Sequence, residues 1–350
     1  MFTPPGTPIT APTLTRFFPR LAIVALMSAA ACATSAMAQS APWKPQGTVE
    51  YVIPGGAGAA LDFSARKLAH LLETNGFAQT VVVSNRPGGY GLLALAPLQN
   101  NPKNPNYLYT VTSGLNFAHA QGAITTSTRD FTPIATLFKD NFSLAVPAAS
   151  HLRSAKDFVE RLKKSPDSLA IAIGSGLGGT LDVALSYTLR QAGVDTKKIR
   201  FIPYKSSAES FTALLGGHVD AVYSSTPNLV PHLPGGKVRG LAVNAEERLG
   251  TDLAAIPTWK ELGYTNFTPP IQGVLAARDI TPEQQRYWEN AFRVITATPE
   301  WKEHLAKNHW NAFFLGGQES KAFYQSEYQQ VQRVLADLGY TTATTQLSQK

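Results

Sequence analysis

The chain has 350 residues, 44% of them hydrophobic and 16% charged, with a formal net charge of +7. At roughly 100 to 200 residues per domain, that composition describes a soluble globular protein of two domains with sizeable cores. Its single cysteine, Cys32, excludes an intramolecular disulfide and a cysteine-built metal site.

At the N-terminus, Arg16 and Arg20 precede the apolar run LAIVALMSAAACATSAMAQ, which closes on the small-residue motif Ala36-Met37-Ala38. This predicts a signal peptide over residues 1–38, cleaved before Gln39, and export to the periplasm. The run is too short and alanine-rich for a membrane anchor of about 20 residues. A lipoprotein site at Cys32 would lack the usual leucine ahead of Ala30-Ala31. Cleavage removes Cys32 and two of the 31 basic residues, leaving 29 basic against 24 acidic, a formal +5. That mild excess suits a small anionic ligand and is far from a nucleic-acid footprint.

From Trp43 onward, strand-like runs alternate with helix-like ones. The strand signals are VEYVIP, TVVVSN, NYLYTVTS, SLAVPA, LAIAIGS, RFIPY, VDAVYSS and VRGLAV, and they predict an α/β protein with mostly parallel sheets. Leu61, Ala65, Leu68 and Leu72 share a helix face ended by Asn75-Gly76. Leu181, Ala184, Leu185 and Leu189 share another, ended by Gly193. Thr281-Pro282-Glu283-Gln284 reads as an N-cap, a first-turn proline and a capping box, and Thr298-Pro299-Glu300 opens the next helix similarly. The last helix is expected from about Glu319 to Leu338, ending at Gly339. No linker separates the two domains, which points to strands crossing between them around a hinged cleft.

Two glycine-rich turns stand between a strand and a helix: IPGGAGAALD at 53–62 and IAIGSGLGGT at 171–180. A P-loop needs GxxxxGK[ST], and neither lysine nor a hydroxyl follows Gly58. A Rossmann fingerprint needs a third glycine where Leu61 stands, although Arg86 after the second strand could accept an NADP phosphate. Close strand–helix packing is a further reading of such small residues. The remaining reading is a carboxylate cradle, in which backbone N–H groups at a helix N-terminus face an anion. Two such turns, one per domain, would put two helix N-termini on opposite walls of one cleft.

The run from residue 49 to about 338 resembles the extracytoplasmic solute-binding proteins of tripartite tricarboxylate transporters, the Bug or TctC-type family. The matching segments are VIPGGAGAALDFSAR, VVVSNRPGG, DFTPIATL, GSGLGGT, PYKSSAESFTALLGGHVDAVYSSTPNLVPHL, GKVRGLAV and IPTWKELGY. The resemblance implies a type II periplasmic binding protein, with two doubly wound α/β lobes joined by crossing strands and a ligand cleft between them. Lobe 1 would comprise residues 43–141 plus 271–350, and lobe 2 residues 142–270. The C-terminal helices would pack on lobe 1.

It further implies no catalysis, no cofactor and no metal. A small carboxylate is the expected ligand and the integral membrane permease subunits of a tripartite tricarboxylate-type transporter are the expected partners, with the receptor itself a monomer. On this sequence the pocket would be lined by Gly55, Gly56, Ala57, Gly58, Ala59, Ala60, Leu61 and Asp62, with Ser113 and Asn116 after the third strand. The second lobe would add Ser175, Leu177, Gly178, Gly179, Thr180, Tyr204, Lys205, Ser224, Ser225 and Thr226. Departures from the family pattern at Gly55, Leu61 and Ser224 predict a wider, less polar pocket and a ligand such as the aromatic dicarboxylate terephthalate.

Individual residues also carry plainer readings. Asp62 is a candidate for ordering its own turn, Lys205 for simple solvation, and Tyr204 for packing beneath the hinge. Two function classes remain: a binding module that delivers a carboxylate to a permease, and an exported α/β enzyme or NADP-binding protein using the same turns.

Overall fold

The computed structural model describes residues 1–3, 6, 8, 42–174, 176–265 and 269–340. The predicted signal segment falls almost wholly outside them. Met1–Trp43 is a unit separate from Lys44–Lys350, and the fold resides in the latter.

Among the described residues eleven strands form two sheets. The first comprises β1 (Thr48–Ile53), β2 (Thr80–Asn85), β3 (Tyr107–Thr112), β4 (Thr132–Lys139), β10 (Ile271–Ala276) and β11 (Asn311–Gly316), in the order β11-β4-β10-β3-β1-β2. The second comprises β5 (Phe142–Pro147), β6 (Ala170–Ile173), β7 (Arg200–Pro203), β8 (Ala221–Ser225) and β9 (Val238–Val243), in the order β7-β6-β8-β5-β9.

All eight predicted strands are present, and β4, β10 and β11 are additional. The sheets are mixed, not mostly parallel. β1 pairs in parallel with β2 and β3, and β6 with β7 and β8. β10 is antiparallel to β3 and β4, β11 to β4, and β5 to β8 and β9. The additional strands lack a surface-strand pattern for physical reasons. Every residue of β10 (IQGVLA) is buried, which leaves no polar alternation to read. A Cβ on its Gly273 would lie 2.6 Å from the Ala135 carbonyl oxygen, so close packing of β4 requires glycine there.

The helices are α1 (Ala60–Thr74), α2 (Leu92–Asn100), α3 (Ser113–Ala120), α4 (Ala155–Lys164), α5 (Thr180–Gln191), α6 (Ser207–Leu215), α7 (Pro282–Ala297), α8 (Pro299–Lys307) and α9 (Gly317–Leu338). The anticipated caps form. Thr281 accepts from the Gln284 N–H at 3.2 Å while the Gln284 side chain accepts from the Thr281 N–H at 2.8 Å, and Thr298 accepts from the Trp301 N–H. Such caps stabilise a helix by about 0.5 to 2 kcal/mol each.

The last helix corrects one expectation: it is not confined to the first sheet. Its N-terminal half lies on β4, where Tyr324 reaches Thr136 at 3.1 Å. Its C-terminal half carries Val331, Val334, Leu335 and Leu338, an apolar stripe at helical spacing. That stripe is buried in one core with Leu144, Phe158, Ile171 and Leu185 of the second sheet and its helices. Phe117 and Ala120 of α3 join the same core.

Strand directions fix how the sheets face each other. β4 runs the same way as β3, so its end at Lys139 lies at the carboxyl edge of β1–β3, opposite Ile271. The chain enters the second sheet at Phe142, paired with Ser225 at the carboxyl end of β8, and leaves it from Val243, paired with Ser143. Both crossings therefore join carboxyl edge to carboxyl edge. They are tied together by Asp140 N–H to Pro270 O at 2.8 Å and Asn244 N–H to Phe142 O at 2.7 Å.

Candidate ligand-binding site

In open α/β sheets, ligands bind outside the carboxyl ends of the strands, and both glycine turns lie there. The first follows β1 and leads into α1. The second follows β6 and leads into α5. They share one design. Gly58 and Gly178 have left-handed backbones, φ +76° and +77°, which an L side chain adopts only with strain. Each donates its N–H to an aspartate four residues on: Gly58 to Asp62 at 2.9 Å and Gly178 to Asp182 at 2.6 Å. The aspartates pin each turn from below and leave the helix heads open. The N–H groups of Ala60 and Leu61, and of Thr180 and Leu181, have no acceptor among the described residues.

The two aspartates differ electrostatically. Burial works against ionising Asp62, but Arg66 at 3.0 Å, the Gly58 N–H and Asn85 at 3.1 Å outweigh it and hold the carboxyl below its usual range. Asp182 is fully buried and has no cation beside it. Burial pushes it up to about 6, against the Gly178 N–H and the Tyr340 hydroxyl at 3.4 Å. Its Oδ1 has no hydrogen-bond partner among the described residues.

Several expected pocket residues are committed elsewhere. Asp62 is 4% exposed and spent on its own turn, the plainer of its two readings. Ser113 and Asn116 are both buried and serve a carboxylate from the same chain: Glu327 of α9 accepts from Ser113 at 2.5 Å and from Asn116 at 2.6 Å. Burial drives the Glu327 carboxyl above its usual range despite these donors. Ser225 donates to Asp140 at 2.5 Å and Thr226 to the Asn141 carbonyl at 2.8 Å, fastening the end of β8 to the first crossing. Ser224 is fully buried, its hydroxyl turned to the Ser225 carbonyl at 3.3 Å. Glu327 escaped the sequence reading because nothing marks one helical glutamate among several.

Leu61 and Gly55 do not together widen the crevice. A Cβ on Gly55 would lie 3.2 Å from Leu61 Cβ and Cδ1, so Leu61 fills the space the glycine leaves. At the crevice surface stand Gly56, Ala57 and Gly58 of the first turn and Leu177 of the second, all exposed, whereas Gly178 is buried beneath the side chain of Gln121, just after α3, which donates to its carbonyl. Gly55, Ala59, Ala60, Leu61, Gly179 and Thr180 are partly exposed. Ser175 lies outside the described residues. On the same edge, Lys205 is exposed, its N–H donating to Glu209, and half-buried Tyr204 packs on the second-sheet core beside Phe211. A surface cavity of about 530 Å³ lined by Leu177, Lys197, Phe201 and Tyr340 shares only Leu177 with the two turns.

The groups an NADP phosphate would need are engaged. Asn85 bonds the Gly55 carbonyl and Asp62, and Arg86 reaches Glu50 at 2.7 Å.

Residues 65–340 match the family model described as the tripartite tricarboxylate transporter family receptor. The chain belongs to this receptor family. A curated relative from Cupriavidus necator, named for its place in a gbd 5′ region, is 27% identical over 336 residues, covering 93% of this chain and 98% of its own. Among solved structures, the periplasmic binding protein BugD matches with a TM-score of 0.73 at 23% identity, covering 85% of this receptor and 99% of BugD. Rpa4515 of R. palustris, solved with adipate, matches with a TM-score of 0.76 at 23% identity, covering 84% and 98%. The receptor thus has the two-lobed α/β fold of periplasmic binding proteins, and its family is one of substrate-binding receptors for tripartite transporters. No described helix is long and apolar enough to cross a membrane.

Proposed function

We propose that this receptor is exported by cleavage near Ala38, captures a small dicarboxylate between residues 43–141 plus 271–350 on one side and 142–270 on the other, and presents it to membrane permease subunits. One observation carries the reading: the paired turns, each pinned by a glycine-to-aspartate bond and each ending in a helix head with unengaged N–H groups. Two such heads on facing edges fit a ligand with a carboxylate at each end. Main-chain donors grip anions by charge-assisted bonds without a buried counter-charge.

The solute class within this reading is a dicarboxylate with an apolar body, terephthalate being the candidate. Adipate on the structural relative Rpa4515 supports a two-ended acid with an apolar spacer. Calorimetry and thermal shift with malate, adipate and terephthalate test it. A bound solute at about 100 times its Kd adds about 2.7 kcal/mol, which for a chain of this length corresponds to a rise of roughly 4 °C. Stoichiometric binding without consumption of the acid is expected. Absence of any stabilisation, or turnover of the acid, would overturn the proposal.

A further inference from the structure

The loop after β2 reads Arg86-Pro87-Gly88-Gly89-Tyr90-Gly91. Residues 88 to 91 are successively left-handed, with φ of 115°, 57°, 56° and 93°. Glycine meets that demand at three positions, and tyrosine at the fourth is disfavoured for any L side chain. Packing does not account for it. Tyr90 is 61% exposed, and its side chain makes no hydrogen bond or ring contact among the described residues. A strained backbone that holds an exposed aromatic ring is characteristic of a ligand-facing position.

Its location agrees. β2 ends at the same edge as β1, and Asn85 there bonds the Gly55 carbonyl of the first turn. A Cβ on Gly91 would lie 3.5 Å from Pro54 Cβ, so the loop presses on the start of that turn. The same loop touches α3. Tyr90 is thus held between the first turn and the helix following β3, at the carboxyl edge of the first sheet. Exposed Leu93 lies just beyond it, and exposed Leu177 belongs to the turn on the other sheet.

We propose that Tyr90 determines solute preference by presenting its ring face to the apolar body of the bound acid, favouring aromatic over aliphatic dicarboxylates. This rests on the receptor reading above. The ring's pairing with an aromatic solute is of a size to alter affinity by up to about tenfold.

The experiment is calorimetry of terephthalate and adipate against the wild type, Tyr90→Gly and Tyr90→Phe, with melting temperatures in parallel. Tyr90→Gly should weaken terephthalate by about tenfold while adipate changes by less than about threefold. Tyr90→Phe should retain the preference. Glycine relieves the left-handed strain but enlarges the freedom of the unfolded chain, so the melting temperature should stay within about 2 °C of wild type. Equal loss for both acids, or no loss for either, would overturn the role of Tyr90 and leave the receptor reading standing. A wild type that bound neither acid nor malate would overturn both.

Discussion

Asp62 and Asp182 occupy equivalent places, and their opposite titration follows from one neighbour. Arg66 and Asn85 reward ionisation of Asp62, while Asp182 is enclosed with backbone N–H groups and the Tyr340 hydroxyl and with no cation among the described residues. A carboxyl raised from 3.8 to about 6 binds its proton more tightly in the folded than in the unfolded chain. Its stabilising contribution is complete below about pH 4 and is lost as pH rises through 6. Asp182→Asn keeps an oxygen acceptor for Gly178 and removes the titration. Relative to wild type, the variant should gain in unfolding free energy between pH 4 and 7, by up to roughly 3 kcal/mol. Asp140, also raised to about 6 by burial, titrates in both proteins and cancels from the comparison. Denaturant melts across that range would refute this if the difference stayed constant. The two glycine turns were legible in the sequence because glycine spacing is visible there. The turn-ordering role of Asp62 was legible as well, since its partner Gly58 is four residues away, whereas the use of Ser113 and Asn116 was not, because it depends on a partner 211 to 214 residues away.

At the scale of elements, Glu327 joins α9 to the head of α3. The carboxylate accepts from Ser113 and Asn116, and Ser113 in turn accepts from the Ile271 N–H at 3.0 Å where β10 begins. One buried acid thus fixes a helix start, a strand start and the long helix. Ser113→Ala should cost about 1 to 3 kcal/mol, the range for stranding buried polar groups, while solute affinity of the folded protein changes less than threefold. A ligand role for Ser113 predicts the reverse, with affinity falling and stability little altered, and paired melts and titrations separate the two. The same connectivity explains why β4, β10 and β11 were harder to read than the other strands. β4 and β10 sit inside the sheet, buried on both faces, and the edge strand β11 (NAFFLG) is half-exposed without a polar partner to each apolar residue, so hydrophobic alternation is absent where it would have marked them. Helix boundaries were easier, because Thr281, Thr298 and Gly339 are local signals whose chemistry needs no distant partner.

At the scale of the molecule, α9 decides how independent the two sheets are. A helix of 22 residues is about 33 Å long, enough to lie on β4 at one end and enter the second core at the other. Together with Phe117 and Ala120 of α3, its Val331, Val334, Leu335 and Leu338 make the second core dependent on chain from beyond both crossings. The closure proposed for the cleft would then be a pivot about a shared helix, since sliding would pull this stripe out of its core. Such sharing also makes unfolding one event, as neither side retains a complete core when α9 leaves. Calorimetry of the chain from Gln39 onward, without ligand, should give a single transition with calorimetric and van't Hoff enthalpies in agreement. Leu335→Ala, a fully buried truncation, should lower stability by about 2 to 5 kcal/mol and shift the whole transition without dividing it. Two independent transitions in the wild type would mean that the sheets fold apart and that α9 is no pivot.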